Sequence, residues 1–334
     1  MSETTAAPSV MPLFLADADV RAVFDWTDAI DALRRAYAAP ANAAMFPPRS
    51  MARGEGLWLR TLSGINPDGG LMGAKLIAAS IRNRRASYLI PLFDQETVEL
   101  VALVDAASIT GFRTAATSAL AADALAASGD LEVAIIGSGF EARMHLRALA
   151  AIRSIRCARV FSPNPASRFR FVHDLADLDI SIASVDSASA AVAGADVVIC
   201  AARSRDEKPT LRADWLEEQA TVISIGSTLP EQREVDVSVI ARASLIVADM
   251  VEEVAHDTGD MVAAQHAGIV FADRLVSLSH LLAEPSAGKT DGLKLYKSVG
   301  AALQDLVIAG MCVDRARQSS RGISLPMSIS PVLK

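Results

Sequence analysis

The sequence has few of the residues that indicate a disulfide-rich, metal-binding or membrane-spanning protein. Its three cysteines lie far apart without a Cys-x-x-Cys pair, which disfavours a disulfide framework and a cysteine zinc site. Its five histidines have no HExxH or HxxxH spacing, and no uncharged apolar run approaches the roughly 18 residues of a membrane span. The segment Met1–Ala16 lacks the basic start of a secretory signal. We therefore expect a cytoplasmic protein that binds no metal.

The sequence also lacks an excess of basic residues, because the formal net charge is −7. Nucleic-acid and anionic-membrane partners are therefore disfavoured. Hydrophobic residues make up 51% and charged residues 21% of the chain, the composition of a globular protein. A length of 334 residues predicts about two domains.

Lysine is scarce, with six lysines against 26 arginines. Lys75 is the only lysine before Lys208. An ammonium group can lose its proton and a guanidinium group cannot. Lys75 is therefore a candidate for proton transfer.

The first part of the chain predicts one helix followed by strands. Ile30, Leu33 and Tyr37 have helical spacing between Thr27 and Ala39, and Pro40 ends the segment. Short β-like runs without intervening helices predict an antiparallel or mixed sheet, with a hairpin at the turn 93–97. The runs are 57–61, 73–77, 88–93 and 99–104.

The second part predicts alternating strands and helices after an alanine-rich helix at 110–127. Apolar strands alternating with helices indicate a parallel sheet covered on both faces. The predicted strands are 133–136, 158–161, 180–183, 197–201, 221–225 and 245–248. The predicted helices begin near Phe140, Pro165, Ser189, Leu211 and Asp236, and a final helix covers 295–317. We expect an α/β protein in which a Rossmann-type doubly wound parallel sheet (120–309) is inserted into an α+β substrate-binding and dimerisation domain (1–119 plus 310–334).

A glycine-rich loop, Gly137-Ser138-Gly139-Phe140-Glu141-Ala142, follows the strand 133–136. In this GxGxxA pattern the first glycine makes a tight turn and the second lets the backbone approach a pyrophosphate at a helix N-terminus. An ordinary glycine turn is the alternative. The position between an apolar strand and a βα series favours dinucleotide binding.

The end of the next strand carries Ser162, Asn164 and Arg168, with no carboxylate before Asp174. An acidic residue here would bind the 2′-hydroxyl of NAD, whereas hydroxyl, amide and guanidinium groups suit a 2′-phosphate. NADP(H) is therefore favoured, and NAD(H) remains possible. These residues also suit a helix cap, a role compatible with the first.

Three basic residues, Arg49, Lys75 and Arg113, lie at the edges of β-like runs or at a helix start. Arg113 and Thr114 near a helix N-terminus suit a carboxylate or a phosphate. For each of the three alone, composition favours a solvated surface charge, whereas their shared location near strand ends favours a functional role. If both arginines flank Lys75, their charges disfavour its protonated form.

The sequence resembles the ornithine cyclodeaminase/mu-crystallin family over residues 13 to 315. The most specific segments are 92–97 (LFDQET) and 105–119 (DAASITGFRTAATSA). Supporting matches are 73–76, the glycine loop, Gly226-Ser227 with Pro230 and Arg233-Glu234, and 297–300 (KSVG). The family comprises homodimeric enzymes and binding proteins that use NAD(P)(H) on amino acids and imines.

The resemblance implies a set of site residues. Arg49, Lys75 and Arg113 would hold the substrate carboxylate, with Lys75 also exchanging a proton. The cofactor-binding residues would be Arg113, Thr114, Gly137, Ser138, Gly139, Phe140, Glu141, Ser162, Asn164, Arg168, Gly226, Ser227, Thr228, Ser298 and Val299.

The sequence departs from the family pattern twice. Val98 replaces a turn glycine, which affects the hairpin geometry. Thr228 stands where cyclodeaminases carry an acid/base aspartate, and threonine needs an activating neighbour to act as a base. The nearby carboxylate that could replace this aspartate is Glu231, but it lies three residues further along the chain and is not favoured for that role.

Three functions follow in order of preference. The first is NAD(P)H-dependent reduction of a small α-imino acid (a ketimine or cyclic imine) or the reverse oxidation of an amino acid. The second is a cyclodeaminase-type lyase that recycles bound NAD. The third is a non-catalytic NADP-dependent binding protein.

Overall fold

The computed structural model describes residues 11–202, 208–326, 329 and 331–332. Most of the segment expected to lack a secretory signal lies outside the described residues. The strands of the described part are β1 (Leu13–Leu15), β2 (Ser50–Gly54), β3 (Leu57–Ile65), β4 (Leu71–Ser80), β5 (Arg85–Asp94), β6 (Leu100–Asp105), β7 (Leu131–Ile136), β8 (Ile155–Phe161), β9 (Ser181–Ser184), β10 (Val197–Cys200), β11 (Thr221–Ser224), β12 (Leu245–Ala248), β13 (Leu275–Ser277), β14 (Lys294–Lys297) and β15 (Ile323–Ser324). The α-helices are α1 (Asp17–Val23), α2 (Trp26–Ala38), α3 (Ile109–Leu125), α4 (Phe140–Ala150), α5 (Pro165–Asp174), α6 (Ala188–Val192), α7 (Val237–Arg242), α8 (Val251–Asp257), α9 (Gly259–His266), α10 (Leu278–Ala283) and α11 (Ala302–Gln318).

The chain forms two compact units. The mixed-sheet unit contains Met1–Asp25, Ala39–Thr110 and Ala302–Lys334, and the parallel-sheet unit contains Trp26–Ala38 and Gly111–Ala301. Helix α2 therefore belongs with the parallel sheet, whereas the sequence analysis assigned it to the substrate-binding domain. Trp26 packs edge-on against Phe112 at 5.7 Å, and Arg34 pairs with Asp123 at 3.0 Å.

The mixed-sheet unit has the strand order β15-β1-β6-β5-β4-β3-β2. Only the β1–β6 pair is parallel among its described pairings. The hairpin predicted at 93–97 is confirmed, since β5 and β6 pair antiparallel. Val98 in its turn has φ +56°, the left-handed region that favours glycine.

Helix α11 packs on one face of this sheet. Leu62 of β3, Ile77 of β4 and Ala302 of α11 form a buried cluster. Gly73 lets β4 approach β5 closely, because a Cβ at this position would lie 2.2 Å from the carbonyl oxygen of Pro91 on β5. The sequence predicts a final helix at 295–317 that returns to the first domain. The second part of that helix is present as α11.

The parallel-sheet unit has the strand order β13-β12-β14-β11-β10-β7-β8-β9, with every described pair parallel. The expected doubly wound sheet is confirmed. The chain runs outward from β7 through β8 to β9 and then resumes at β10 on the other side of β7. Ligands of such sheets bind at this switch point, beyond the carboxyl ends of the strands.

Two sequence predictions in this unit were wrong. The segment after Leu211 forms only a 3₁₀ turn, Ala213–Trp215, because Leu211 itself is bridged to Val235 in parallel. Residues 295–297 form the end of β14 instead of the start of the final helix. Gly300, with φ +87°, separates this strand from α11.

Within the described residues, no helix combines the length and the apolar character needed to cross a membrane.

Candidate functional site

Lys75 is buried on β4, with 1% of its side chain exposed. Its Nζ lies 2.8 Å from Oδ1 of Asp305, which is fully buried on α11. A carboxylate at this distance stabilises the ammonium form. This influence is opposite to the one expected from neighbouring arginines, and it comes from an acid 230 residues away in sequence.

Arg49 lies at the start of β2, two strands away from Lys75. It immediately precedes Ser50 of β2, and Ser50 pairs with Thr61, which in turn pairs with Leu76. The adjacent row of the sheet is Leu62–Lys75. Continuation of the β2–β3 pairing by one residue brings partly buried Arg49 to this row, about two strand spacings (~10 Å) from Lys75.

The glycine loop lies between β7 and α4, at the switch point of the parallel sheet. Gly137 has φ +114°, and a Cβ there would lie 2.5 Å from the Ala201 carbonyl oxygen, so the turn requires glycine. Gly139 is the N-cap of α4, and nothing lies within 4 Å of the position of its missing Cβ. Phe140 and Glu141 begin the helix, where backbone N–H groups have no partner within the helix. This open, amide-lined space fits a pyrophosphate.

Three serine hydroxyls connect the glycine loop with the end of β8. Ser138 Oγ donates to Ser167 Oγ at 3.0 Å, and the Oγ atoms of Ser162 and Ser167 are 3.2 Å apart. Asn164 and Arg168, which the sequence predicts to bind a 2′-phosphate together with Ser162, have contacts within the protein. Asn164 caps α5 by accepting from two backbone N–H groups, and the Arg168 guanidinium donates to the Ser162 carbonyl and to Asp186.

Arg113 and Thr114 are buried on α3 in the parallel-sheet unit. A Cβ on Gly300 would lie 2.4 Å from Arg113 Nη1, so the guanidinium packs against the loop that follows β14. Asp249, after β12, holds the same loop. It accepts from Ser298 Oγ at 2.6 Å and from the backbone N–H groups of Val299 and Gly300 at 3.0 and 2.8 Å.

The loop after β11 contains Gly226, Ser227 and Thr228. Ser227 Oγ donates to the Gln232 carbonyl at 2.6 Å. Thr228 donates through its N–H and Oγ1 to Oε1 of Gln232, at 3.0 and 3.2 Å. The partner of the Thr228 hydroxyl is thus an amide, which does not activate it as a base, and Glu231 is exposed.

His145 fixes α4 against α3 and is 2% exposed. Its Nδ1 lies 2.7 Å from the Glu141 carbonyl oxygen and its Nε2 lies 3.0 Å from Ser118 Oγ. Burial lowers the pKa of His145 to about 4, and the Arg113 charge acts in the same direction. The imidazole is therefore neutral near pH 7 and supports the glycine-loop helix.

Sequence reasoning missed the carboxylates Asp305, Asp249 and Asp260, and it gave no role to Glu234. All four are buried, and their partners are distant in sequence or backbone groups of loops. For Asp305, the sequence offered one signal: an acidic residue that stands alone among apolar residues of a helix indicates a buried carboxylate with a partner.

The comparisons with known proteins identify related sequences and folds. The sequence model of the ornithine cyclodeaminase/mu-crystallin family matches residues 66–320. A Delta(1)-pyrroline-2-carboxylate reductase of Paracoccus denitrificans is 27% identical over 91% of this chain and 97% of its own length. The ketimine reductase mu-crystallin of Mus musculus is 28% identical over 70% of this chain and 71% of its own length. The structure of Thermococcus litoralis Delta(1)-pyrroline-2-carboxylate reductase in complex with NADH and L-proline aligns with a TM-score of 0.84 at 24% identity, covering 94% of this chain and all of that one.

Proposed function

Because the chain belongs to the ornithine cyclodeaminase/mu-crystallin family, we propose that it is an NAD(P)-dependent oxidoreductase that reduces a small α-imino acid, a ketimine or cyclic imine, or oxidises the corresponding amino acid. The observation that carries this proposal is the open amide-lined loop at Gly139, located at the switch point of a doubly wound sheet. The reductase names of two relatives supply the reaction class.

Lys75 is the proposed proton donor. When bound, a reduced nicotinamide supplies the hydride for the imine carbon. Hydride addition is favoured when the imine nitrogen is protonated, and the charged Lys75 beside Asp305 has a proton to donate. In the oxidative direction Lys75 would accept this proton. Arg49, at the Lys75 row of the sheet, and Arg113 are proposed to bind the substrate carboxylate.

We assign NADP(H) as the preferred cofactor. The support is the hydroxyl cluster of Ser138, Ser162 and Ser167, together with the lack of an acidic residue from 162 to 173. The relative from Thermococcus litoralis was determined with NADH. Measurement of kcat/KM with NADPH and NADH tests the preference, and a higher value with NADH would contradict it.

We further assign a homodimer formed through the mixed sheet. Leu57, Leu59 and Ile65 alternate along β3 on the face opposite α11, and they are 57%, 46% and 41% exposed. Large apolar side chains concentrated on one sheet face indicate an interface. Light scattering should give about twice 35.2 kDa. Leu59→Arg should lower the mass, while Glu96→Arg in an exposed turn should not. A wild-type monomer with full activity would contradict the assignment.

The central experiment follows absorbance of the reduced nicotinamide with a panel of cyclic imines and α-keto acids plus ammonia or methylamine. A reductase consumes the cofactor in step with substrate. Product formation without net absorbance change would indicate the lyase instead, and saturable binding without product would indicate the binding protein.

Gly139→Val tests whether the glycine loop binds the cofactor. Its backbone, with φ −78° and ψ −169°, suits a β-branched residue, and the Cβ meets no neighbour. The variant should therefore fold but fill the space of the pyrophosphate. Consumption of the cofactor at the wild-type rate by this variant would refute the assigned binding loop.

A further inference from the structure

A buried acid–base cluster lies at the carboxyl ends of two neighbouring strands, β11 and β14, in the parallel-sheet unit. It consists of Ser224 (β11), Glu234, Asp260 (α9) and Lys297 (β14), all fully buried. Lys297 Nζ donates to Ser224 Oγ at 2.9 Å and lies 3.0 Å from Asp260 Oδ2. Ser224 Oγ in turn donates to Glu234 Oε2 at 2.6 Å. The proposed function above does not use this cluster.

Glu234 holds two of the strand-end loops through their backbones. Its Oε2 accepts from the N–H of Gly226, after β11, at 2.7 Å. Its Oε1 accepts from the N–H of Ala202, after β10, at 3.3 Å. A Cβ on Gly226 would lie 2.3 Å from Oε1, so glycine is needed for the carboxylate to reach both loops.

Asp260 fixes the segment that carries Glu234. Its Oδ1 accepts from the N–H groups of Glu234 and Val235 at 2.8 and 3.3 Å. Arg233 Nε also lies 3.3 Å from Oδ1. The carboxylate of Glu234 is thereby held at one position relative to β10, β11 and β14.

The loops held by Glu234 lie on one side of the switch point. The glycine loop follows β7, and the hydroxyl cluster follows β8 on the adenosine side. Strands β10, β11 and β14 lie on the opposite side, where a dinucleotide that crosses the switch point extends its second half. The Gly226–Thr228 and Ser298–Gly300 loops are therefore on the nicotinamide side.

We propose that Glu234 is a positioning residue that, as a carboxylate, holds the backbone at Ala202, after β10, and at Gly226, after β11, in the arrangement that receives the nicotinamide half of the cofactor. This inference rests on the proposed function, because it presupposes dinucleotide binding. Glu234 acts through the backbones of Ala202 and Gly226 and not by contact with the cofactor.

Protonation of Glu234 removes acceptor capacity that these loops use. Ala202 and Gly226 present N–H groups, which only donate, so a protonated oxygen facing either of them is a weaker partner than a carboxylate oxygen. Burial raises the pKa of Glu234 to about 7, and the charge of Asp260 acts in the same direction. The Lys297 charge and the hydrogen bonds from Ser224 and Gly226 act in the opposite direction. Among the described residues, Cys200 on β10 is a further titratable neighbour, and its thiol stays neutral because burial and the Glu234 charge raise its pKa.

The consequence is a pH-dependent affinity for the nicotinamide half. Glu234 is ionised above about pH 7 and protonated below it. If the ionised form alone holds the loops, the dissociation constant of the dinucleotide rises about tenfold between about pH 8 and about pH 6. ADP-ribose, which lacks both the nicotinamide and a 2′-phosphate, should show no such change.

The test measures dissociation constants by calorimetry on the full-length protein at several pH values. NADP⁺ is compared with 2′-phospho-ADP-ribose, and NAD⁺ with ADP-ribose. The ratio within each pair cancels the adenosine half, including any titration of the 2′-phosphate. We expect the advantage of the dinucleotide to shrink about tenfold from about pH 8 to about pH 6. A ratio independent of pH would overturn the inference and leave the proposed function intact, whereas no dinucleotide binding at any pH would overturn both.

Two matched variants complete the test. Glu234→Gln keeps the size of the side chain but does not titrate, so it should weaken dinucleotide binding at about pH 8 and abolish the pH dependence. Glu218→Gln makes the same change at an exposed position and should behave like wild type. A pH dependence that persists in Glu234→Gln would overturn the inference. Should this variant not fold, the wild-type titration alone decides the outcome.

Discussion

Replacement of Asp305 by asparagine would leave the Lys75 ammonium buried without the carboxylate that lies 2.8 Å from it. Both side chains are at most 1% exposed, so water cannot replace the lost partner. Loss of one member of a buried ion pair costs about 3–5 kcal/mol. We expect Asp305→Asn to lose that much of the free energy of unfolding.

A double replacement separates stability from chemistry. Lys75→Met with Asp305→Leu removes both charges beside the apolar cluster of Leu62, Ile77 and Ala302. Exchange of a buried ion pair for apolar side chains is often neutral or stabilising. The double variant should therefore unfold within about 1 kcal/mol of wild type, yet lose turnover on the order of 10²-fold or more, because no ammonium remains to donate a proton.

Lys75→Arg supplies the third comparison. An arginine keeps the positive charge beside Asp305 but does not release its proton near neutral pH. We expect turnover on the order of 10²-fold lower with nearly unchanged affinity for NADPH. The assays are urea unfolding followed by tryptophan fluorescence, to which Trp58 contributes from the mixed-sheet unit, together with steady-state kinetics. A double variant as unstable as Asp305→Asn would refute the ion-pair argument, and near wild-type turnover in Lys75→Arg would refute proton donation.

Three further predictions concern the cofactor, a turn and a buried histidine. Ser162→Asp should shift kcat/KM from NADPH toward NADH, because a carboxylate repels a 2′-phosphate and accepts from a 2′-hydroxyl; an unchanged ratio would contradict the assignment of the hydroxyl cluster. Val98→Gly should raise the free energy of unfolding by about 1 kcal/mol, since φ +56° is unfavourable for a β-branched side chain; urea unfolding checks this, and a loss of stability would contradict it. His145, with its pKa lowered to about 4, should cost stability as pH falls below about 6.5, reaching about 3 kcal/mol near pH 4. Unfolding curves of wild type and His145→Gln over that range should converge as the pH falls, and parallel curves would refute the assignment.

Local sequence signals were sufficient for the glycine loop and its surroundings. Gly137 needs a positive φ and Gly139 caps a helix, and both requirements are expressed within a few neighbouring residues. Strand β14 was mistaken for the start of a helix because four residues buried on both faces carry no period-two pattern. The partner of Lys75 was not predictable, since Asp305 is 230 residues away and only the packing of α11 on β4 brings them together.

The late position of β14 in the chain affects how the protein folds during synthesis. This strand pairs with β11 on one side and β12 on the other, yet it ends at residue 297 of 334. The mixed sheet likewise receives α11 and β15 from the end of the chain. A nascent chain that ends before Lys294 therefore presents the unpaired edges of β11 and β12, and exposed parallel-strand edges are templates for aggregation. At about 5–20 residues per second the ribosome would expose them for several seconds before β14 is complete.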